Sequence, residues 1–170
     1  EDINSISDEL RKYGIKINRV SGHGVFITGD EFSIRKAMKN YCLYPVDNKK
    51  TQEKYDYRMN EEEVEVWINN FGENNLRKVV DIIHKLEKKY DVAYTDYSFR
   101  MLAEYMLIQL FRIKKGNELK SKISLEQSPI CEREVLETVT DLYMEICNME
   151  LNEYEQQYID ILFASAVVQA

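Results

Sequence analysis

The sequence predicts a mainly helical protein: an antiparallel helical bundle preceded by one helix and a β-hairpin. The 170 residues include only 6 Gly and 2 Pro, and so few turn residues favour long helices over a many-stranded fold. Apolar residues recur with a helical period along most of the chain, and β-rich runs are confined to one short stretch. With 44% hydrophobic and 31% charged residues, the composition is typical of a globular protein.

The first 44 residues predict a helix, a hairpin and a second helix. The first helix is predicted over 1–13 from apolar residues at helical spacing, namely Ile3, Ile6, Leu10 and Tyr13. Because this pattern is already in phase at the first residues, the helix is expected to begin upstream. Gly14 stands where helices commonly end. Two β-rich runs, 15–20 and 25–28, flank a Gly-containing turn and predict the hairpin. Residues 32–43 predict the second helix.

Residues 45–72 are predicted to be a connector that contains one short helix. From Pro45 to Arg58 the sequence is polar and has no helical period. Three glutamates, 61–63, then open a helical segment, where negative charge suits the helix dipole. Its apolar stripe is formed by Val64, Trp67, Ile68 and Phe71. Gly72 is expected to end it.

Residues 73–170 predict a bundle of four helices, because four segments each have one apolar face. The faces consist of Leu76, Val79, Val80, Ile83 and Leu86; of Phe99, Leu102, Met106, Leu110 and Ile113; of Val135, Val139, Leu142, Ile146 and Met149; and of Tyr158, Ile159, Leu162, Phe163 and Ala166. The second helix is expected to begin near Thr95 and to end at Gly116. Asn152 is the expected N-cap of the fourth, with Glu155 completing a capping box.

The net charge and the reactive side chains argue against an enzyme and against a nucleic-acid-binding protein. A net charge of −7 repels phosphate backbones. The two histidines, His23 in the hairpin turn and His84 on the first bundle helix, are interpreted as structural, His84 being half-buried. The cysteines have no metal-ligand spacing and are interpreted as free thiols; they are Cys42, Cys131 and Cys147. No cofactor or metal is predicted, and a Cys–His hydrolase is a remote alternative.

A basic cluster surrounds the predicted hairpin, formed by Arg11, Lys12, Lys16 and Arg19. It would contact a DNA backbone if a recognition helix preceded it. An ordinary charged surface is an equally good interpretation.

A motif of the form Gly-x-Gly-φ-x-φ-x-Gly-x-Glu-x-x-x-Arg is filled by Gly22, Gly24, Gly29, Glu31 and Arg35. With the preceding stretch 10–17, it resembles the junction after the winged-helix domains of sugar-operon regulators of the mannitol and lichenan activator type, relatives of the BglG antiterminators. The resemblance implies that residues 1–44 are the C-terminal part of a winged-helix domain with a junction helix.

A second motif resembles the PTS regulation domain, or PRD, of the same regulators. Leu102 precedes Tyr105 by three residues, and Arg112 and then Gly116 follow; the family has Leu-x-x-His-φ, an Arg seven residues after the His, and a Gly beyond. The second family signature, Glu followed seven residues later by His, falls on Glu155 and Leu162. The resemblance implies that residues 73–170 form one PRD.

Tyr105 and Leu162 stand where the family has histidines that accept phosphoryl groups. A phenol with a pKa of about 10 is a poor acceptor, and Leu has none. Tyr105 is interpreted as a packing residue whose hydroxyl stays wet or hydrogen-bonded. In the family, phosphorylation changes the state of the protein by adding charge at an interface. The resemblance therefore implies a PRD that has kept its fold and lost the phosphorylation switch.

The resemblance implies a non-enzymatic regulatory and oligomerisation module of a cytoplasmic transcription regulator of carbohydrate use or virulence. The expected partners are a second copy in a homodimer, PTS phosphocarrier proteins, and DNA bound through upstream domains, with no membrane. Two alternatives stay open. One is a PRD still phosphorylated on His84 or another non-standard residue, and the other is a helical scaffold unrelated to transcription.

Overall fold

The computed structural model describes residues 3–21, 24–42, 55–125, 127 and 129–170. These are mainly helical, with one two-stranded antiparallel hairpin, as predicted. The chain divides into two compact units, Glu1–Leu43 and Tyr44–Ala170, called here the hairpin unit and the helical unit. Within the described residues, no helix is long and apolar enough to cross a membrane.

The hairpin unit contains α1 (Ile3–Lys12), β1 (Lys16–Ser21), β2 (Gly24–Thr28) and α2 (Glu31–Ala37). Gly14 follows α1 with a φ of 73°, the left-handed backbone that glycine adopts without steric cost. The strands pair antiparallel with Lys16 opposite Thr28. The helix predicted over 32–43 is α2 followed by a π-helical turn, Met38–Cys42; Leu43 lies outside the described residues.

The hairpin unit has a small apolar core where α1, the hairpin and α2 meet. Leu10, Ile15 and Ala37 are buried in it. Three partly buried residues pack against them, namely Tyr13, Ile17 and Ile27. Leu10, on the apolar face of α1, is therefore packed against residues of the hairpin and α2.

The helical unit contains α3 (Glu61–Phe71), α4 (Glu73–Tyr90), α5 (Asp96–Lys114), α6 (Arg133–Cys147) and α7 (Glu153–Ala164). α4 contacts α5 and α6, and α7 contacts the same two helices, so these four close into a bundle. Lys114 at the end of α5 donates to Asn75 near the start of α4, at 2.5 Å. α4 and α5 are therefore antiparallel.

The short helix of the predicted connector belongs to the helical unit. α3 packs against α4 and α5 and buries Val64, Trp67 and Phe71. Its stripe of apolar residues needs a partner surface, and the bundle supplies it. The part of the predicted connector that forms α3 therefore adds to the core of the helical unit.

α5 is buried nearly all round, which its single predicted face did not anticipate. Beside Phe99, Leu102, Met106 and Leu110, it also buries residues on other sides, namely Ser98, Ala103, Leu107, Ile108 and Gln109. α5 packs against α3, α4 and α7 and is hydrogen-bonded to α6, and a helix enclosed in this way is apolar on several faces. The predicted face positions Ile113, Val135, Ile146 and Met149 are only partly buried.

Most helix ends lie where the local sequence predicts them. Thr95 caps α5 by accepting from the Ser98 N–H, and Gly116 follows α5 with a φ of 82°. Asn152 caps α7 by accepting from the N–H groups of Tyr154 and Glu155. The predicted capping box is wrong in its second half, because the Glu155 side chain is fully buried and bonds elsewhere.

Candidate functional site

The two positions at which the family has phosphoryl-accepting histidines lie on packed helices. Tyr105 is on α5 and Leu162 is on α7. Tyr105 is half-buried, and its backbone carbonyl accepts from the Tyr158 hydroxyl of α7 at 2.9 Å. Leu162 is 6% exposed and belongs to the core. Leu102 is fully buried, whereas Arg112 is half-buried near the end of α5. Tyr105 therefore lies where α5 contacts α7.

A chain of buried hydrogen bonds joins α5, α6 and α7. The Tyr143 hydroxyl donates to Gln109 Oε1 at 2.6 Å, and Gln109 Nε2 donates to Glu155 Oε1 at 3.1 Å. The second Glu155 oxygen accepts from the Leu119 N–H at 2.7 Å. All three side chains are fully buried, where unpaired polar groups are costly. This chain of contacts is called the Glu155 network.

The Glu155 network also holds the segment between α5 and α6 against α7. Asn152 Nδ2 donates to the Leu119 carbonyl at 2.8 Å. Further along, the Gln157 side chain pairs with both backbone groups of Ile123, accepting at 2.8 Å and donating at 3.2 Å. Side chains of α7 thus satisfy backbone groups of a segment that has no regular structure.

A second buried polar cluster forms around Arg58, just before α3. Its guanidinium donates to both Asp56 oxygens at 2.9 and 3.0 Å and to both Glu87 oxygens at 2.7 and 2.8 Å. It also donates to the Tyr94 carbonyl at 3.0 Å and lies 3.9 Å from the Phe99 ring centroid. The two bidentate pairs and the Tyr94 carbonyl together use all five N–H donors of the guanidinium. This cluster, called the Arg58 clamp, ties the segment before α3 to α4 and α5.

The contacts of the Arg58 clamp keep Asp56 and Arg58 ionised. Burial alone would raise the pKa of Asp56, but hydrogen bonds from the Arg58 side chain, the Arg58 N–H and His84 lower it to about 2. Burial acts to lower the pKa of Arg58, yet Glu87 and Asp56 hold it above its ordinary value. Ionised groups at this depth are stable because each has several partners.

We expect the Asp56 carboxylate to make the helical unit acid-sensitive between pH 4 and 2. The folded pKa of about 2 lies below the ordinary 3.8, so the stabilisation is complete above pH 4 and is lost as pH falls towards 2. The shift corresponds to about 2 kcal/mol. Urea unfolding at several pH values, for wild type and Asp56→Asn, measures it. The stability gap between the two proteins should shrink by that amount on acidification, and a constant gap would contradict the assignment.

His84 borders the Arg58 clamp instead of standing alone on the helix. Its Nε2 lies 2.7 Å from Asp56 Oδ2, its side chain is 42% exposed, and its ring stacks on Phe99 at 6.0 Å. Because Asp56 is ionised at neutral pH, Nε2 is the donor. The predicted structural role fits these contacts, and Nδ1 is the ring nitrogen that the carboxylate leaves available.

In the hairpin unit, two of the motif residues, Gly29 and Arg35, lie in tightly packed surroundings. A Cβ on Gly29 would lie 3.3 Å from Ile15 Cγ1 and 3.4 Å from the Gly14 carbonyl, so a larger residue would crowd the core. Arg35 is fully buried and pairs with Glu31 at 3.1 Å, four residues earlier on α2. Gly24 begins β2.

Gly22 and His23 lie outside the described residues, as does the Cys42 side chain. Among the described residues, no group of three or more His, Cys, Asp or Glu is placed to hold a metal ion. Cys131 and Cys147 are free thiols. Burial and a hydrogen bond to Asp160 raise the pKa of Cys131 to about 12, and burial raises that of Cys147. Both thiols are therefore protonated and weakly nucleophilic at neutral pH.

Sequence reasoning missed most members of both buried networks. Asp56 and Arg58 fall in a stretch predicted to be a polar connector, and Glu87 is a charged residue beside the apolar face of α4. Gln109 and Tyr143 showed no motif that distinguishes them. The one available signal was the i, i+2 spacing of Asp56 and Arg58, which is too common to identify a buried pair.

Comparison with family models and with curated proteins gave no match to this chain. The family resemblance therefore rests on the residues named above.

Proposed function

We propose that the chain is a regulatory module of a bacterial transcription regulator of carbohydrate use. It combines the end of a winged-helix domain with one PRD that has lost its phosphorylatable histidines, and it acts as a homodimer. It has no catalytic activity of its own, and it transmits a state between DNA-binding domains and sensor domains of its parent protein.

The observation that carries the proposal is the hydrogen bond between Gln109 on α5 and Glu155 on α7, at 3.1 Å. Glu155 belongs to one PRD signature, and Gln109 lies four residues after Tyr105 of the other. The two signatures thus lie on helices joined by a fully buried contact. We expect a change at either helix to alter the packing of the other, as a regulatory module requires.

We expect no phosphoryl uptake when the protein is incubated with phosphoenolpyruvate, Enzyme I and HPr. The side chains of Tyr105 and Leu162 offer no nitrogen acceptor, and Leu162 is almost completely buried. Radiolabelled phosphoenolpyruvate followed by gel autoradiography measures uptake, and HPr in the same lane is the positive control. Stoichiometric labelling of the wild-type chain would contradict the proposal.

The variant Tyr105→His tests whether Tyr105 occupies the position of the family's phosphoryl-accepting histidine. Tyr105 is half-buried, so an imidazole there is reachable by a carrier protein, and we expect acid-labile label on this variant. Circular dichroism confirms that it folds. A folded variant without label would count against the assignment of Tyr105 to the acceptor position.

A second candidate is a PRD that accepts a phosphoryl group on His84. It is favoured by the contact between His84 Nε2 and Asp56 at 2.7 Å, which orients the ring, and by the 42% exposure of the side chain. Mass spectrometry of labelled wild-type protein separates the candidates, since a phosphate mapped to His84 supports only the second.

A further inference from the structure

An open groove of about 360 Å³ runs along α4, between Tyr55 and the end of α6. Its polar lining includes Arg77 and Lys78, adjacent residues of α4, and His84, about two turns further along the same helix. The Arg77 guanidinium lies 5.2 Å from the Tyr55 ring centroid, and Arg77 Nη2 is 3.0 Å from Glu73 Oε1. Arg77 is thus held in place at the groove. We call this feature the α4 groove.

Two cations, Arg77 and Lys78, and one acid, Asp81, line the α4 groove, so its lining has a small excess of positive charge although the chain has a net charge of −7. Burial and the nearby charge of Lys78 lower the pKa of Lys114. The Lys114 ammonium does not line the groove, but it lies near enough to Lys78 to add to the positive potential there.

The acids near the α4 groove are already paired. Asp81 lines it and lies 3.5 Å from Lys85, and Glu73 accepts from Arg77. These side chains are about half exposed, where such pairs contribute little to stability. A ligand dianion can therefore compete with the carboxylates for the cations.

The other part of the α4 groove is apolar. Val80 and Ile146 contribute to its lining, together with the Tyr55 ring. Its volume exceeds what an inorganic anion fills and lies within the range of small-molecule sites. His84 also lines it, and with Nε2 on Asp56 it has only Nδ1 left to offer a ligand.

We propose that the α4 groove binds a small organic phosphate monoester. The phosphate group contacts Arg77 and Lys78, the residue pair that suits a dianion, and the organic part covers Val80 and Ile146. This binding site goes beyond the proposed function and does not depend on it, because labelling by phosphoenolpyruvate and reversible ligand binding are separate measurements.

Calorimetric titration of the 170-residue chain with phenyl phosphate tests the proposal. We expect saturable binding, weaker binding of inorganic phosphate and none of phenol, since both the charge and the apolar contact are needed. Lys78→Gln and Arg77→Gln should each weaken phenyl phosphate binding about tenfold, the loss of one charge-assisted contact. Lys88→Gln, an exposed change elsewhere on α4, should have no effect.

Two results would overturn the proposal. One is the absence of saturation below about 10 mM phenyl phosphate, which is weaker than small-molecule sites usually bind. The other is wild-type affinity in both Arg77→Gln and Lys78→Gln. Inorganic phosphate binding as tightly as phenyl phosphate would contradict the apolar part of the site. Fluorescence of Trp67, the only Trp, verifies that each variant is folded.

Discussion

Arg58→Met is expected to lower the free energy of unfolding of the helical unit by about 3–5 kcal/mol, the usual cost of removing one partner from a buried ion pair. Arg58 is 5% exposed, and its removal leaves the Asp56 and Glu87 carboxylates buried without their main cation. The Tyr94 carbonyl also loses a donor. Urea unfolding followed by Trp67 fluorescence measures the change, because Trp67 is buried in α3 of this unit.

The matched control for Arg58 is Arg133→Met. The Arg133 side chain is 89% exposed and pairs with Glu137 on the surface, so the change should stay within about 0.5 kcal/mol. Arg58→Lys keeps the charge but cannot form two bidentate pairs, and we expect an intermediate loss. Equal unfolding midpoints for Arg58→Met and wild type would show that the Arg58 clamp does not stabilise the fold.

Glu155→Ala is the other change with a large expected effect, a loss of about 3–4 kcal/mol. It leaves two buried donors unpaired, Gln109 Nε2 and the Leu119 N–H, and each costs about 1–3 kcal/mol. The Leu119 amide should also lose protection from hydrogen exchange, because its acceptor is gone. Urea unfolding and exchange measured by NMR provide the two readouts.

Glu118→Ala is the control for Glu155, since Glu118 is exposed in the segment that Glu155 holds. It should change stability by no more than about 0.5 kcal/mol. Glu155→Gln keeps one acceptor oxygen and should lose less than Glu155→Ala. If the Leu119 amide stays protected in Glu155→Ala, the Glu155 network is not what fixes this segment.

The helix ends and the hairpin could be predicted because their causes are local. Gly14 and Gly116 adopt the positive φ that their places after α1 and α5 suggest, and Asn152 caps α7. A cap or a left-handed residue depends on neighbours within a few positions of the chain. The same holds for the hairpin, whose two β-rich runs are separated by one short turn.

The candidate site was predicted only in part. Leu162 reads as core from its apolar neighbours, and it is core. Glu155 was assigned to a capping box from its spacing to Asn152, but its carboxylate turns inward to Gln109 and Leu119. Spacing identifies the donors within reach along one helix, whereas the partners of Glu155 come from α5 and the segment after it.

The sequence by itself determined the helical class, the hairpin and most element boundaries, since these follow from periodicity and from short-range backbone preferences. Only the tertiary structure decided which polar residues are buried. Asp56 and Glu87 are 31 residues apart in the chain and meet on Arg58, and Gln109 meets Glu155 across two helices. A buried charge is stable only when the fold brings all its partners to it. Because those partners come from distant parts of the chain, no local sequence pattern predicts them.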